Sequence, residues 1–193
     1  MTFIAEDRAK EWDETKKKGI EHIERALLAG ADNLNALEIP FILVGGTLLG
    51  IIREGHVLAH DKDIDVAVLI EDLTEAKRSS LCRSIGFIHN SAGHAGSGQF
   101  AYDYDGIHFD IFIYILNGKY RVTDPSGRGC LIFPKHLFEK NRWGKINYLD
   151  REWNTPSDPI EFIEYMYGKE WKTPIYVYSW KDAPNFRGWE DIE

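Results

Sequence analysis

Asp63-Ile64-Asp65-Val66-Ala67-Val68 sets two carboxylates into a segment that is otherwise apolar. Such a segment reads as a strand. Successive side chains of a strand point to opposite faces, so Asp63 and Asp65 share one face. A second segment of the same kind, His108-Phe109-Asp110-Ile111-Phe112-Ile113, carries one carboxylate. Unpaired carboxylates are costly to bury on a sheet. If the two strands are neighbours, three negative charges converge, and they repel one another unless a hard cation neutralises them. Mg²⁺ takes oxygen ligands and shares them with substrate phosphates, so it suits this set, with Mn²⁺ the alternative. Asp63, Asp65 and Asp110 are therefore the candidate catalytic and metal-binding residues.

Just upstream, Phe41-Ile42-Leu43-Val44 reads as a buried strand that runs into Gly45-Gly46-Thr47. Leu48 to Arg53 then reads as the opening of a helix. Two glycines allow close approach of the backbone to a ligand. A helix N-terminus offers free N–H donors and a positive dipole end, which suit a phosphate, and Thr47 adds a hydroxyl. A phosphate site followed by a metal–carboxylate site points to chemistry on a nucleotide.

The 193 residues favour one domain spanning 1–193, with a helical segment over 1–38 and an extension over 130–193 that packs on the core. Hydrophobic residues make up 44 %, enough for a substantial core. The net charge of −8 argues against general nucleic-acid binding, which needs a basic face, although a bound metal leaves room for a nucleotide substrate. The 2 cysteines, Cys82 and Cys130, are too few for a zinc site and fit a reducing compartment. The first residues lack a signal-peptide core, and no apolar run reaches about 18 residues. These features predict a soluble cytoplasmic protein without a transmembrane segment.

Along the chain, Trp12, Ile20, Ile23, Leu27, Leu34 and Leu37 recur with helical spacing over residues 5–38, with Gly30 as an interruption or cap and Lys16-Lys17-Lys18 as a solvated corner. A helix is predicted over 72–85 with Asp72 at its N-cap. Residues 91–98 read as a flexible glycine-rich loop. Strands over 99–104, 107–116 and 119–123, joined at Asp105-Gly106 and Asn117-Gly118, form a meander. A helix over 159–167 is capped by Ser157 or Asp158 and stopped by Gly168. The aromatic-rich tail is expected to pack against the sheet. The fold class is α+β: a mixed β-sheet flanked by helices.

Taken together, these motifs resemble the nucleotidyltransferase superfamily and, within it, the LicD/fukutin family. The resemblance rests on Gly45-Gly46-Thr47-Leu48-Leu49-Gly50-Ile51-Ile52-Arg53, on Asp61-Lys62-Asp63-Ile64-Asp65, on Phe133-Pro134 and on Tyr167-Gly168-Lys169-Glu170-Trp171-Lys172-Thr173-Pro174. It covers roughly residues 38–175. One departure is Lys62, which stands where the family carries an acidic residue and is expected to face away from Asp63 and Asp65. The resemblance implies a nucleotidyltransferase-like fold. It also implies metal-dependent transfer of a substituted phosphate, such as phosphocholine or a polyol phosphate, from a CDP-linked donor to a hydroxyl of a glycan or related acceptor.

On that reading, Asp63 and Asp65 hold one or two Mg²⁺ on the donor diphosphate, and Asp110 completes the metal site or accepts the acceptor's proton. Gly45, Gly46 and Thr47 cradle a phosphate. Arg53 reaches a phosphate or pairs with Asp61, and Asp61 and Lys135 are further substrate-binding candidates, with His60 and the 91–98 loop behind them. Two alternatives stand beside this. One is transfer of NMP from an NTP with release of pyrophosphate; the other is a non-catalytic nucleotide-binding module.

Overall fold

The computed structural model describes the backbone of residues 3–124, 129–175 and 178–192, and side chains from residue 16 onward. Trp12 of the predicted apolar stripe therefore lies outside the described side chains. The first helix, α1 (Phe3–Ala36), is continuous. Ile23, Leu27 and Leu34 of the stripe are buried, and Ile20 and Leu37 pack at its margin. Gly30 neither interrupts nor caps the helix. A Cβ there would come within 2.2 Å of the Phe109 ring, so the glycine lets α1 settle onto the sheet at that point. The stability lost by placing Gly inside a helix, about 1 kcal/mol relative to Ala, is offset by that contact.

Among the described residues the sheet is mixed and has eight strands, with β5 (Ile107–Asn117) at its centre. β2 (Asp63–Leu69) runs parallel to β5, and β1 (Ile42–Leu43) pairs antiparallel with β2. β4 (Gln99–Tyr104) pairs antiparallel with β5, and β3 (Phe87–Ser91) with β4. The last residues of β5 turn to β6 (Tyr120–Thr123), which is followed by β7 (Cys130–Pro134) and β10 (Phe186–Arg187). A separate hairpin, β8 (Gly144–Tyr148) with β9 (Arg151–Thr155), flanks the sheet. One face, carrying Phe109, packs on α1. Over the other lie α2 (Gly45–Glu54) and α4 (Pro159–Tyr167), which also touch each other.

Several expectations hold and others move. Asp158 caps α4, accepting from the N–H groups of Ile160 and Glu161 at 3.0 and 2.9 Å, and Gly168 ends it. The hairpin turn Asp105-Gly106 has positive φ at both residues, as a two-residue turn of this type requires. α2 starts at Gly45, earlier than predicted. α3 is only Glu75–Leu81, capped by Thr74 rather than Asp72. Asp72 sits in a preceding 3₁₀ turn and pairs with Lys140. The 91–98 segment is not an open loop: a Cβ on Gly98 would sit 1.9 Å from the Ser91 carbonyl oxygen, and Ser97 is fully buried. The tail contributes β7 and β10 to the main sheet, which its sequence did not announce.

Phe133 of β7 is fully buried and lies at the middle of an aromatic cluster. Its ring stacks on Phe162 of α4 at 4.7 Å and meets Tyr114 of β5 at 5.7 Å and Phe138 at 5.8 Å. The cluster fastens α4 to the sheet. Both thiols are unbridged: Cys82 is exposed and Cys130 is buried. No helix among the described residues is long and apolar enough to cross a membrane.

Candidate active site

The parallel register of β2 and β5 sets Asp65 directly opposite Asp110. Strand alternation brings Asp63 to the same face. One carboxylate oxygen from each of Asp63, Asp65 and Asp110 lies within 4.8 Å of the others. The convergence expected from the sequence is therefore present in the fold.

Each acid is set from a different direction. The Gly46 N–H, in the first turn of α2, donates to Asp65 Oδ2 at 2.7 Å, and the Asp65 N–H donates to the Thr47 hydroxyl at 2.8 Å. This double bond of backbone and side chain locks β2 to the start of α2, whose positive end faces the carboxylate. Gly45 has φ +54°, and a Cβ there would stand 2.2 Å from Asp65 Oδ2. A Cβ on Gly46 would stand 2.8 Å from Asp61 Oδ2. What the two glycines approach is thus the pair of carboxylates, and any phosphate must be met from beyond them. Thr47 is buried and holds β2, so it is a positioning residue and not a surface for substrate.

The electrostatics follow from crowding. Burial pushes Asp65 well above the ordinary carboxylate range, and the charges of Asp63, Asp61 and Asp110 push it further, against the Gly46 hydrogen bond. Asp61 is pushed up to about 8, first by burial and then by its hydrogen bond and charge repulsion with Asp63. Asp110 is pushed up to about 6 by burial and by Asp63. Asp110 Oδ1 is buried with no hydrogen-bond partner among the described residues. An oxygen-only set of this kind, self-repelling and with a lone pair left over, is one a hard divalent cation satisfies.

The acids open onto a cavity of about 960 Å³. Of the candidate substrate-binding residues, Gly45, Gly46, Arg53, His60 and Asp61 line it. Arg53 does not pair with Asp61. Its guanidinium reaches the Glu54 carboxylate at 2.9 Å and the Trp171 carbonyl at 3.3 Å, leaving Nε buried without a partner among the described residues. Lys135 lies outside the cavity. The chain turns at Pro134, the Lys135 N–H donates to the Lys119 carbonyl, and its side chain is exposed. The Lys62 side chain is exposed too. Sequence reading missed Lys16 of α1, Tyr114 of β5 and Tyr178 of the tail as cavity residues. Lys16 was read with a solvated corner and is indeed exposed, but at the cavity's mouth. Tyr167 also lines the cavity.

The upward shifts carry a stability consequence. Unfolded, each carboxylate titrates near 3.8. Between that value and the folded values the native state holds more protons, so stability falls as pH rises from about 4 to about 8. In chelator the melting temperature should drop on going from pH 5.5 to pH 8. A net difference of about 1 kcal/mol after screening corresponds to roughly 2–4 °C. Mg²⁺ should restore more stability at pH 8 than at pH 5.5, because ligation needs the deprotonated acids. Differential scanning fluorimetry across this grid checks both signs, and a chelated protein that gains stability toward pH 8 would contradict them.

A family model described as "LicD/FKTN/FKRP, nucleotidyltransferase domain" matches residues 38–158, which include every acid of the cluster and end before α4. Among curated proteins, the chain is 28 % identical over 170 residues to Ribitol-5-phosphate transferase FKTN of Macaca fascicularis and to that of Homo sapiens. It is 26 % identical over 165 residues to Ribitol-5-phosphate transferase FKTN of Mus musculus. Each alignment takes in 82 % of this chain and 35 % of the relative, so the chain spans about a third of the length of the curated relatives it matches.

Proposed function

The chain belongs to the LicD/FKTN/FKRP nucleotidyltransferase-domain family, and on that premise we propose that it transfers a substituted phosphate from a CDP-linked donor to a hydroxyl of a glycan or related acceptor. The observation that carries the reading is the set of three carboxylates converging at the wall of a 960 Å³ cavity, large enough for a nucleotide-linked donor. The relatives' named activity makes ribitol 5-phosphate the first candidate for the transferred group.

In the proposed reaction the acceptor oxygen forms a bond to the phosphorus that bears the alcohol. The bond from that phosphorus to the oxygen bridging it to CMP breaks, and CMP leaves. Asp63 and Asp65 would hold Mg²⁺, which when bound would neutralise charge on the diphosphate. Asp110 faces the same point with an unpartnered Oδ1, suited to closing the metal set or to taking the acceptor's proton. Asp110→Asn separates these duties: lost Mg²⁺ affinity assigns the ligand, and kept affinity with lost turnover assigns the base. The half-buried Arg53 guanidinium and the exposed Lys16, both lining the cavity, would supply positive charge for the donor's phosphates.

The test is a thermal-shift screen of CDP-ribitol, CDP-glycerol, CDP-choline, CDP-ethanolamine and NTPs, each with and without Mg²⁺, followed by product analysis. A CDP-alcohol should stabilise the protein only with Mg²⁺, and CMP should be released in step with acceptor modification. Pyrophosphate released from an NTP would replace this reading with nucleotidyl transfer. Binding without turnover of any donor would replace it with a binding module.

A further inference from the structure

Tyr167 is the last residue of α4, held there by the Gly168 stop. It lines the same cavity as the acids. Of the other cavity tyrosines, Tyr178 has its hydroxyl engaged, donating to the Met166 carbonyl at 2.7 Å. The Tyr167 hydroxyl has no hydrogen-bond partner among the described residues. Its ring packs on Tyr178 at 4.8 Å, and the Tyr178–Met166 bond ties that neighbour back to α4. The ring is thus oriented by its surroundings while its polar atom is left unused.

We propose that Tyr167 is a substrate ligand whose phenolic O–H donates a hydrogen bond to a phosphate oxygen of the donor's diphosphate. The proposal rests on the functional reading above for the nucleotide, though not for the phosphate. The charges of Asp65, Asp61 and Asp63 all act on this phenol, which puts it in the field of the acid cluster without a bond to it. Burial, first, and those charges hold its pKa well above the ordinary value, so the phenol stays protonated and serves as a donor and not as a base. A neutral donor that lines the same cavity as the acid cluster would meet an anion brought there by cations on those acids. A phosphate oxygen accepts from it without adding like charge.

The experiment uses the full chain and its Tyr167→Phe variant, which removes one oxygen and keeps the ring. Affinities are measured by calorimetry for Mg²⁺ alone, for inorganic pyrophosphate with Mg²⁺, and for CDP with Mg²⁺. Hydrogen bonds to charged groups predict that the variant binds both diphosphates at least about 10-fold more weakly, with Mg²⁺ affinity and melting temperature unchanged. Equal binding by variant and wild type overturns the proposal. An equal loss for Mg²⁺ alone also overturns it, because the hydroxyl would then act on the acids and not on phosphate. If wild type binds pyrophosphate but not CDP, the CDP-donor reading falls while Tyr167 is still judged on pyrophosphate. If it binds neither, both fall.

Discussion

Asp65→Asn is expected to lower turnover by at least about 10³-fold while leaving a folded protein whose metal-free form melts no lower than wild type at pH 8. The size follows from losing charge at a site that must counter phosphate charge in a water-poor cavity. The second half follows from the same crowding. Asn keeps an oxygen for the Gly46 N–H, so the lock between β2 and α2 survives, and it deletes a carboxylate already burdened by burial and by Asp63, Asp61 and Asp110. Asp63→Asn is expected to act likewise. The pair of measurements, rate with the cognate donor and melting temperature in chelator, distinguishes a functional acid from a structural one. Wild-type turnover in either folded variant ends the case for this cluster, and a large drop in metal-free stability would mean the carboxylate belongs to the architecture.

The second large effect is on stability. Phe133→Ala should destabilise the protein by about 3–5 kcal/mol, because the ring is fully buried and its removal leaves a cavity among Tyr114, Phe138 and Phe162 that rigid neighbours cannot fill. For a chain of this length that is a fall of roughly 6–20 °C in melting temperature. Urea titration gives the number directly, and a loss under about 1 kcal/mol would mean that α4 is fastened to the sheet elsewhere. The same variant should loosen the hold on Tyr167, so activity ought to decline at temperatures where the core is still intact.

Much of the active face was legible because it obeys a local rule. Asp63, Asp65 and Asp110 stand out against apolar neighbours, and period-two alternation says which way they point. Asp158 and Gly168 carry their own capping chemistry and bracket α4 correctly. The failures are of two kinds. Asp72 and Thr74 both have capping side chains two residues apart, and the winner was decided by Lys140, 68 residues away, which pairs with Asp72. The pairing of Arg53 with Asp61 and the placing of Lys135 at the site fail for a similar reason. Where a long side chain ends depends on which remote element lies beside it, such as the Trp171 carbonyl for Arg53. The strands β7 and β10 show the same limit, since Leu131 pairs with Phe186 across a stretch with no shared local pattern. The glycine pair was noticed for the right reason, close approach, but nothing local said that the approaching group was Asp65.

The parallel pairing of β2 with β5 also says when the acids can meet. β4, β5, β6 and β7 are joined in sequence as neighbours and can zip together early, at small cost in chain entropy. Asp65 and Asp110 are separated in sequence by α3, β3 and β4, so the β2–β5 pairing closes a longer loop than the β4–β5, β5–β6 and β6–β7 pairings do. A chain that has not yet paired these strands therefore keeps Asp110 apart from Asp63 and Asp65. The three-acid set exists only once β2 has paired with β5, so on the function proposed above cation affinity would report on that pairing.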